Sequence, residues 1–89
     1  MNTLTAHEID QQVRAVDVSI DDTILGIRLS DGRELRIPYP KIPWLEFLVS
    51  ATSAQRKNWS LEPGGYAVYW EDMDDGVEVS HLLTIQPLT

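Results

Sequence analysis

Between Val13 and Pro38, apolar and polar residues alternate with a period of two in three successive runs separated by two turn-forming pairs. Val16, Val18 and Ile20 alternate with Asp17 and Ser19. Leu25, Ile27 and Leu29 alternate with Gly26 and Arg28, and Leu35 and Ile37 flank Arg36. Side chains of a strand point to opposite faces in turn, so this pattern buries one face and leaves the other in water. Asp21-Asp22 ends the first run. Asp31-Gly32 ends the second, and that dipeptide supplies the positive φ of a tight two-residue hairpin. A three-stranded antiparallel meander over residues 13–38 is the firmest constraint on the fold.

Pro38, Pro40 and Pro43 then close off strand structure, since each lacks a backbone donor and pushes the preceding residue toward an extended conformation. Pro43 suits the first turn of a helix. Trp44, Leu45, Leu48 and Val49, with Phe47 and Ala51 at the margins, give an apolar face at helical spacing and predict a helix over 42–51. Thr52 and Gln55 form a capping box that opens a short helical turn over 53–57. Pro63-Gly64-Gly65 marks a turn between strands expected at 59–62 and 66–70. Val77 and Val79 continue a strand pattern, whereas Ser80, Leu82 and Leu83 fit a helical turn, and both remain open for this short C-terminal element. Residues 1–12 read as a loose polar arm, with Thr5 and Glu8 at the spacing of a further capping box. The expectation is an α+β fold with one domain over 13–89.

Charge is distributed unevenly. Of a net −7, the last third carries most: residues 58–89 contain six acids and no lysine or arginine. All seven basic residues, from Arg14 to Lys57, precede Asn58. Affinity for DNA rests on basic side chains displacing counterions, so direct nucleic-acid binding is not expected. The chain has no cysteine, which removes disulfides, Cys-ligated metals and thiol catalysis. No apolar run approaches the roughly 20 residues of a membrane span. No membrane association and a cytoplasmic location are the resulting expectations.

Asp72-Met73-Asp74-Asp75-Gly76 has the composition of a calcium loop but not its spacing. Counting from Asp72 puts glycine at the fifth position instead of the sixth, and counting from Glu71 puts Met73 at the third. Either start places a leucine where a bidentate glutamate is needed. Four acids within five residues also repel one another in water rather than forming an acid–base pair with separated pKa values. His7 and His81 lie far apart, without a nucleophile-elbow or phosphate-cradling motif, and His81 reads as a solvent-facing or core-edge residue. No catalytic residue, cofactor or metal ligand is assigned. Of Trp44, Trp59 and Trp70, two are expected in the core. Trp44, in the first turn of its helix, is expected to be part exposed and a candidate for binding. Candidate partner-binding residues are therefore Trp44, Glu71, Asp72, Asp74 and Asp75. Arg28, Arg33 and Arg36, interleaved with Asp31 and Glu34, read as a mixed-charge solvent face.

Leu29-Ser30-Asp31-Gly32-Arg33, Pro38, Trp44-Leu45, Ala51-Thr52, Gln55-Arg56, Asn58-Trp59, Gly65, Trp70, Asp74 and Leu82-Leu83 stand in an order that resembles the domain of unknown function 2442 family of small bacterial proteins. The resemblance covers residues 13–83. It implies a small α+β domain of antiparallel strands with a helix packed on them, and no established activity. Some relatives carry a C-terminal helix-turn-helix, for which a chain ending at Thr89 has no room; others stand beside a second small protein in the manner of toxin–antitoxin pairs. The leading expectation is a non-enzymatic accessory or protein-binding domain with a protein partner, basic in character, as in such a pair. The alternative is a component of a transcriptional regulator acting through another DNA-binding chain, and a metal-dependent or small-molecule enzyme ranks last. A homodimer is also expected, because a four-stranded sheet with a helix on one face leaves a face or edge to cover.

Overall fold

A computed structural model describes residues 13–84. The expected arm, with Thr5, His7 and Glu8, lies outside the described residues. The meander is formed by β1 (Ala15–Ile20), β2 (Leu25–Leu29) and β3 (Glu34–Ile37), antiparallel in the order β1-β2-β3. Val18, Ile27 and Leu35 share one row of the inner face, and Ile20, Leu25 and Ile37 the next. Asp17, Arg28 and Glu34 align across the outer face, beside Ser19 and Arg36.

Two details depart from the sequence pattern. Val16 does not join the buried face but is 52% exposed. A bulge between Ala15 and Asp17 inserts one extra residue opposite β2, so the inward positions pass to Val13 and Ala15. The β2–β3 turn is also longer than two residues. The Ser30 amide donates to Arg14 O at 2.8 Å and the Ser30 hydroxyl accepts from the Arg14 amide at 3.1 Å, which holds Ser30 against β1 instead of β3. The loop is then Ser30-Asp31-Gly32, with Gly32 N bonded to Leu29 O at 3.0 Å and Gly32 alone in the left-handed region at φ 96°.

The proline-rich segment does not make one helix over 42–51. It makes two 3₁₀ turns, Tyr39–Lys41 and Pro43–Leu45, before α1 (Glu46–Ser50). Leu45, at φ −105° and ψ 13°, is not helical, so the geometry changes there. α2 (Ser53–Lys57) follows with the expected capping box: Thr52 Oγ1 accepts from Gln55 N at 3.1 Å and Gln55 Oε1 from Thr52 N at 2.9 Å.

The remaining strands form a second sheet rather than extending the first into four strands. β4 (Trp59–Leu61), β5 (Ala67–Trp70) and β6 (Asp75–Glu78) are antiparallel in that order. Trp59–Leu61 finds its partner across the Pro63 turn in β5, while the helical segment separates it from β3 along the chain. The C-terminal ambiguity resolves as both alternatives in succession, since β6 runs directly into α3 (Val79–Leu82). Inner residues of both sheets, among them Leu25, Ile27, Val68 and Trp70, meet Leu45 and Leu48 in a single core. Trp70 is fully buried and Trp59 partly so.

Arg56 ties these parts together. Its side chain is only 14% exposed. Nε donates to Leu48 O at 2.8 Å, which takes only a long bond of 3.4 Å from the Ala51 amide, and Nη2 donates to Val49 O at 3.3 Å, so the guanidinium closes the C-terminal end of α1. Nη1 reaches Asp22 in the β1–β2 turn at 3.0 Å. The guanidinium lies 5.8 Å from the centre of the Tyr39 ring, whose hydroxyl donates to Asp21 O at 2.7 Å. The carbonyl of Arg56 in turn accepts from Trp70 Nε1 at 2.9 Å. Replacing Arg56 by alanine leaves Val49 O without a donor, Leu48 O with only the long Ala51 bond and Asp22 without its ion pair, and is expected to cost about 2–4 kcal/mol in urea unfolding, with Arg56→Lys recovering less than half. Arg28→Ala, on the wetted face, should stay within about 0.5 kcal/mol.

Candidate functional site

Tyr69 lies between Val68 and Trp70, both buried, so its side chain belongs to the opposite, outer face of the second sheet. Register places Ser60, Tyr69 and Gly76 in one row across that face, and Ala67 opposite Glu78 in the next. A shallow groove of about 240 Å³ runs over Ala67, Tyr69 and Gly76, bordered by Glu62 and Glu78. Gly76 is required for its shape. A Cβ there would stand 2.5 Å from Val68 O and 3.3 Å from the Tyr69 ring, so any side chain would force the backbone of β5 and β6 apart beneath the tyrosine.

The floor of the groove is tied to the acidic loop. Tyr69 OH donates to Asp74 Oδ1 at 2.5 Å. Asp74 reaches it from a left-handed conformation, φ 50°, which aspartate tolerates better than most residues and which turns the chain out of the 3₁₀ turn Glu71–Met73 into β6. That hydrogen bond holds the Tyr69 phenol above its ordinary pKa; partial burial and the negative charges of Asp74, Glu71 and Glu62 push the same way. The groove is thus an aromatic floor with an anionic rim.

The structure divides the residues singled out in the sequence. Asp74 and Glu71 act on the Tyr69 face. Asp72 instead accepts from Asn58 Nδ2 at 3.2 Å, and Asp75 accepts from the Gly76 amide at 2.8 Å, so both secure the loop. Trp44 is not with them. It stacks on His81 of α3, ring centres 4.1 Å apart and planes 5° from parallel, and remains 38% exposed. His81 is solvent-facing, and it belongs to the element that follows β6, whereas the acidic loop precedes it. Among the described residues no three Asp, Glu or His side chains converge as metal ligands would. Glu62, Tyr69 and Glu78 were not singled out in the sequence. Their signal was the strand parity itself: the positions alternating with Val68, Trp70 and Val77 are the ones that reach the outer face.

The basic residues lie elsewhere. Arg33 pairs with Asp31 at 2.8 Å and Arg36 with Glu34 at 3.8 Å, and Arg28 sits between Asp17 and Glu34 on the first sheet. That face is the mixed-charge surface expected from the sequence.

A family model described as protein of unknown function (DUF2442) matches residues 15–86. A crystal structure of a protein of unknown function from Rhodospirillum rubrum ATCC 11170 is similar with a TM-score of 0.67 and 22% identity, over 81% of this chain and 86% of that one. At that identity the likeness is one of fold. No curated protein matches. Among the described residues no helix is long and apolar enough to cross a membrane.

Because the folded pKa of Tyr69 is raised, its contribution to stability is in place below the ordinary tyrosine value of about 10 and is lost as pH rises through the folded value. Spectrophotometric titration should show one phenol of the wild type moving down toward about 10 in Asp74→Asn, and the same phenol missing in Tyr69→Phe. An unchanged Asp74→Asn curve would show that the bond does not form in solution.

Proposed function

The chain belongs to the DUF2442 family, and we propose that it is a non-enzymatic protein-binding module whose second-sheet outer face receives a basic segment of a partner protein. The observation that carries this reading is the joining of charge and shape in one place. Glu62, Glu71, Asp74 and Glu78 surround Tyr69 along a groove, in a third of the chain that holds no lysine or arginine. An anionic rim over an aromatic floor suits arginine and lysine side chains, whose cations meet the carboxylates while their stems or guanidinium planes lie on the ring. Complementary charge also speeds encounter with such a partner.

The acidic residues around Tyr69 are all exposed, and exposed carboxylates fit recognition better than acid–base chemistry, which calls for contrasting environments. A small basic protein paired with this chain, as the two halves of a toxin–antitoxin pair are, is the partner class that the surface fits.

Isotope-labelled full-length protein titrated with a lysine- and arginine-rich peptide should show amide shifts centred on Ala67, Tyr69, Gly76 and Glu78. Affinity should fall as salt rises. Glu62→Gln with Glu78→Gln should weaken binding about tenfold, in line with the loss of charge-assisted contacts. An acidic peptide of equal length serves as the control. Shifts centred on the first sheet, or equal binding of both peptides, would refute the proposal.

A further inference from the structure

We propose that β3 is a dimerisation edge, pairing antiparallel with β3 of a second copy of this chain about a twofold axis through Leu35. The inference concerns the first sheet and stands apart from the acidic groove.

Each residue of an antiparallel strand directs its backbone N–H and C=O to one side only, and successive residues alternate sides. In β1, the bond from Asp21 N to Ile24 O at 3.1 Å sets a phase in which the Val18 amide points away from β2. Asp17 Oδ1 accepts that amide at 2.9 Å. In β6, the bond from Val79 N to Tyr66 O at 2.8 Å turns the Gly76 amide away from β5, and Asp75 Oδ1 accepts it at 2.8 Å. On each of these edges the aspartate that precedes one outward amide caps it, a local defence against strand addition, while the outward amides of Ile20 and Glu78 have no such cap. β4 lies against β1.

β3 is treated differently. The bond from Leu29 N to Arg33 O at 2.8 Å fixes the phase in which Leu35 and Ile37 bond back to β2. Glu34 and Arg36 then direct their N–H and C=O groups outward, and among the described residues these groups meet no partner. Their side chains are 50% and 62% exposed.

A twofold axis through Leu35 sets Glu34 opposite the partner's Arg36, and Arg36 opposite the partner's Glu34. These are the positions with outward backbone groups, so each pair exchanges two hydrogen bonds and the interface gains four. The paired side chains carry opposite charge on the outer face. Leu35, only partly buried in the single chain, meets its own counterpart on the inner face. Moving the axis to residue 34 would set Glu34 against Glu34, and moving it to residue 36 would set Arg36 against Arg36. Only the register through Leu35 is self-complementary, as a twofold interface requires. The product is a continuous six-stranded sheet. With four residues per strand the contact is small, so the dimer is a weak one.

Sedimentation of the full chain between about 10 μM and 1 mM should show a concentration-dependent dimer, the range suiting an interface of this size. Arg36→Glu and Glu34→Arg should each weaken dimerisation about tenfold, because each sets like charges opposite one another twice. The double exchange Glu34→Arg with Arg36→Glu restores complementarity and should return dimerisation to within about threefold of wild type, with near-UV circular dichroism confirming the fold of each variant. Hydrogen exchange at Glu34 and Arg36 should slow as concentration rises, and that at Val18 and Gly76 should not. A monomer throughout the range, single reversals without effect, or a double exchange that fails to restore the dimer would each overturn the proposal. Protection of Glu34 and Arg36 independent of concentration would also overturn it, since another part of the chain would then already cover the edge.

Discussion

One residue, Arg56, ties the two halves of this domain into a common frame. Arg56 belongs to α2, yet its nitrogens end α1 at Leu48 and Val49, hold the β1–β2 turn at Asp22 and lie over Tyr39, while its carbonyl receives Trp70 from the second sheet. A helix of five residues cannot persist by its own hydrogen bonds, because nucleation costs more than so few bonds return. α1 persists because Arg56 satisfies its C-terminal carbonyls and Leu48 enters the core, and α2 persists through its Thr52–Gln55 capping box and the contacts of Arg56. A nearly buried arginine is tolerable here because its donors find carbonyl oxygens and a carboxylate.

That arrangement leaves two outer faces with different electrostatic characters. On the first sheet Asp17, Arg28 and Glu34 alternate in sign along a row, and the field largely cancels. On the second, the carboxylates about Tyr69 have no cation among them, and the field adds. A domain this small has little interior in which to isolate a reactive group, and among the described residues none of the buried side chains is charged. Its charged groups are displayed on its surface, and the surface with a consistent sign is the one we propose for recognition.

The treatment of the strand edges follows the same economy. Asp17 and Asp75 each close an outward amide with the side chain next to it, at the cost of a single residue. Glu34 and Arg36 carry opposite charges on either side of Leu35 and close nothing within the described chain. The same residue classes that blunt an edge when they act on their own backbone can select a partner when they face outward.

What the sequence determined alone was the part of the structure written in local rules. Period-two alternation produced the meander, proline closed it off, Thr52 and Gln55 capped α2, and Pro63-Gly64-Gly65 turned β4 into β5, because each depends on residues a few positions apart. The acidic bias of the last third was equally legible. Tertiary structure decided the rest. A bulge sent Val16 outward, the grip of Ser30 on Arg14 widened a turn, and the β4–β5 hairpin, joined by β6, stayed apart from the meander and made two sheets where one of four strands was expected. It also separated Trp44 from the acidic loop, gave Asp72 and Asp75 to the backbone and its supports, and brought Glu62, Tyr69 and Glu78 onto one face. Those outcomes depend on contacts between distant segments, whose energies a local pattern does not contain.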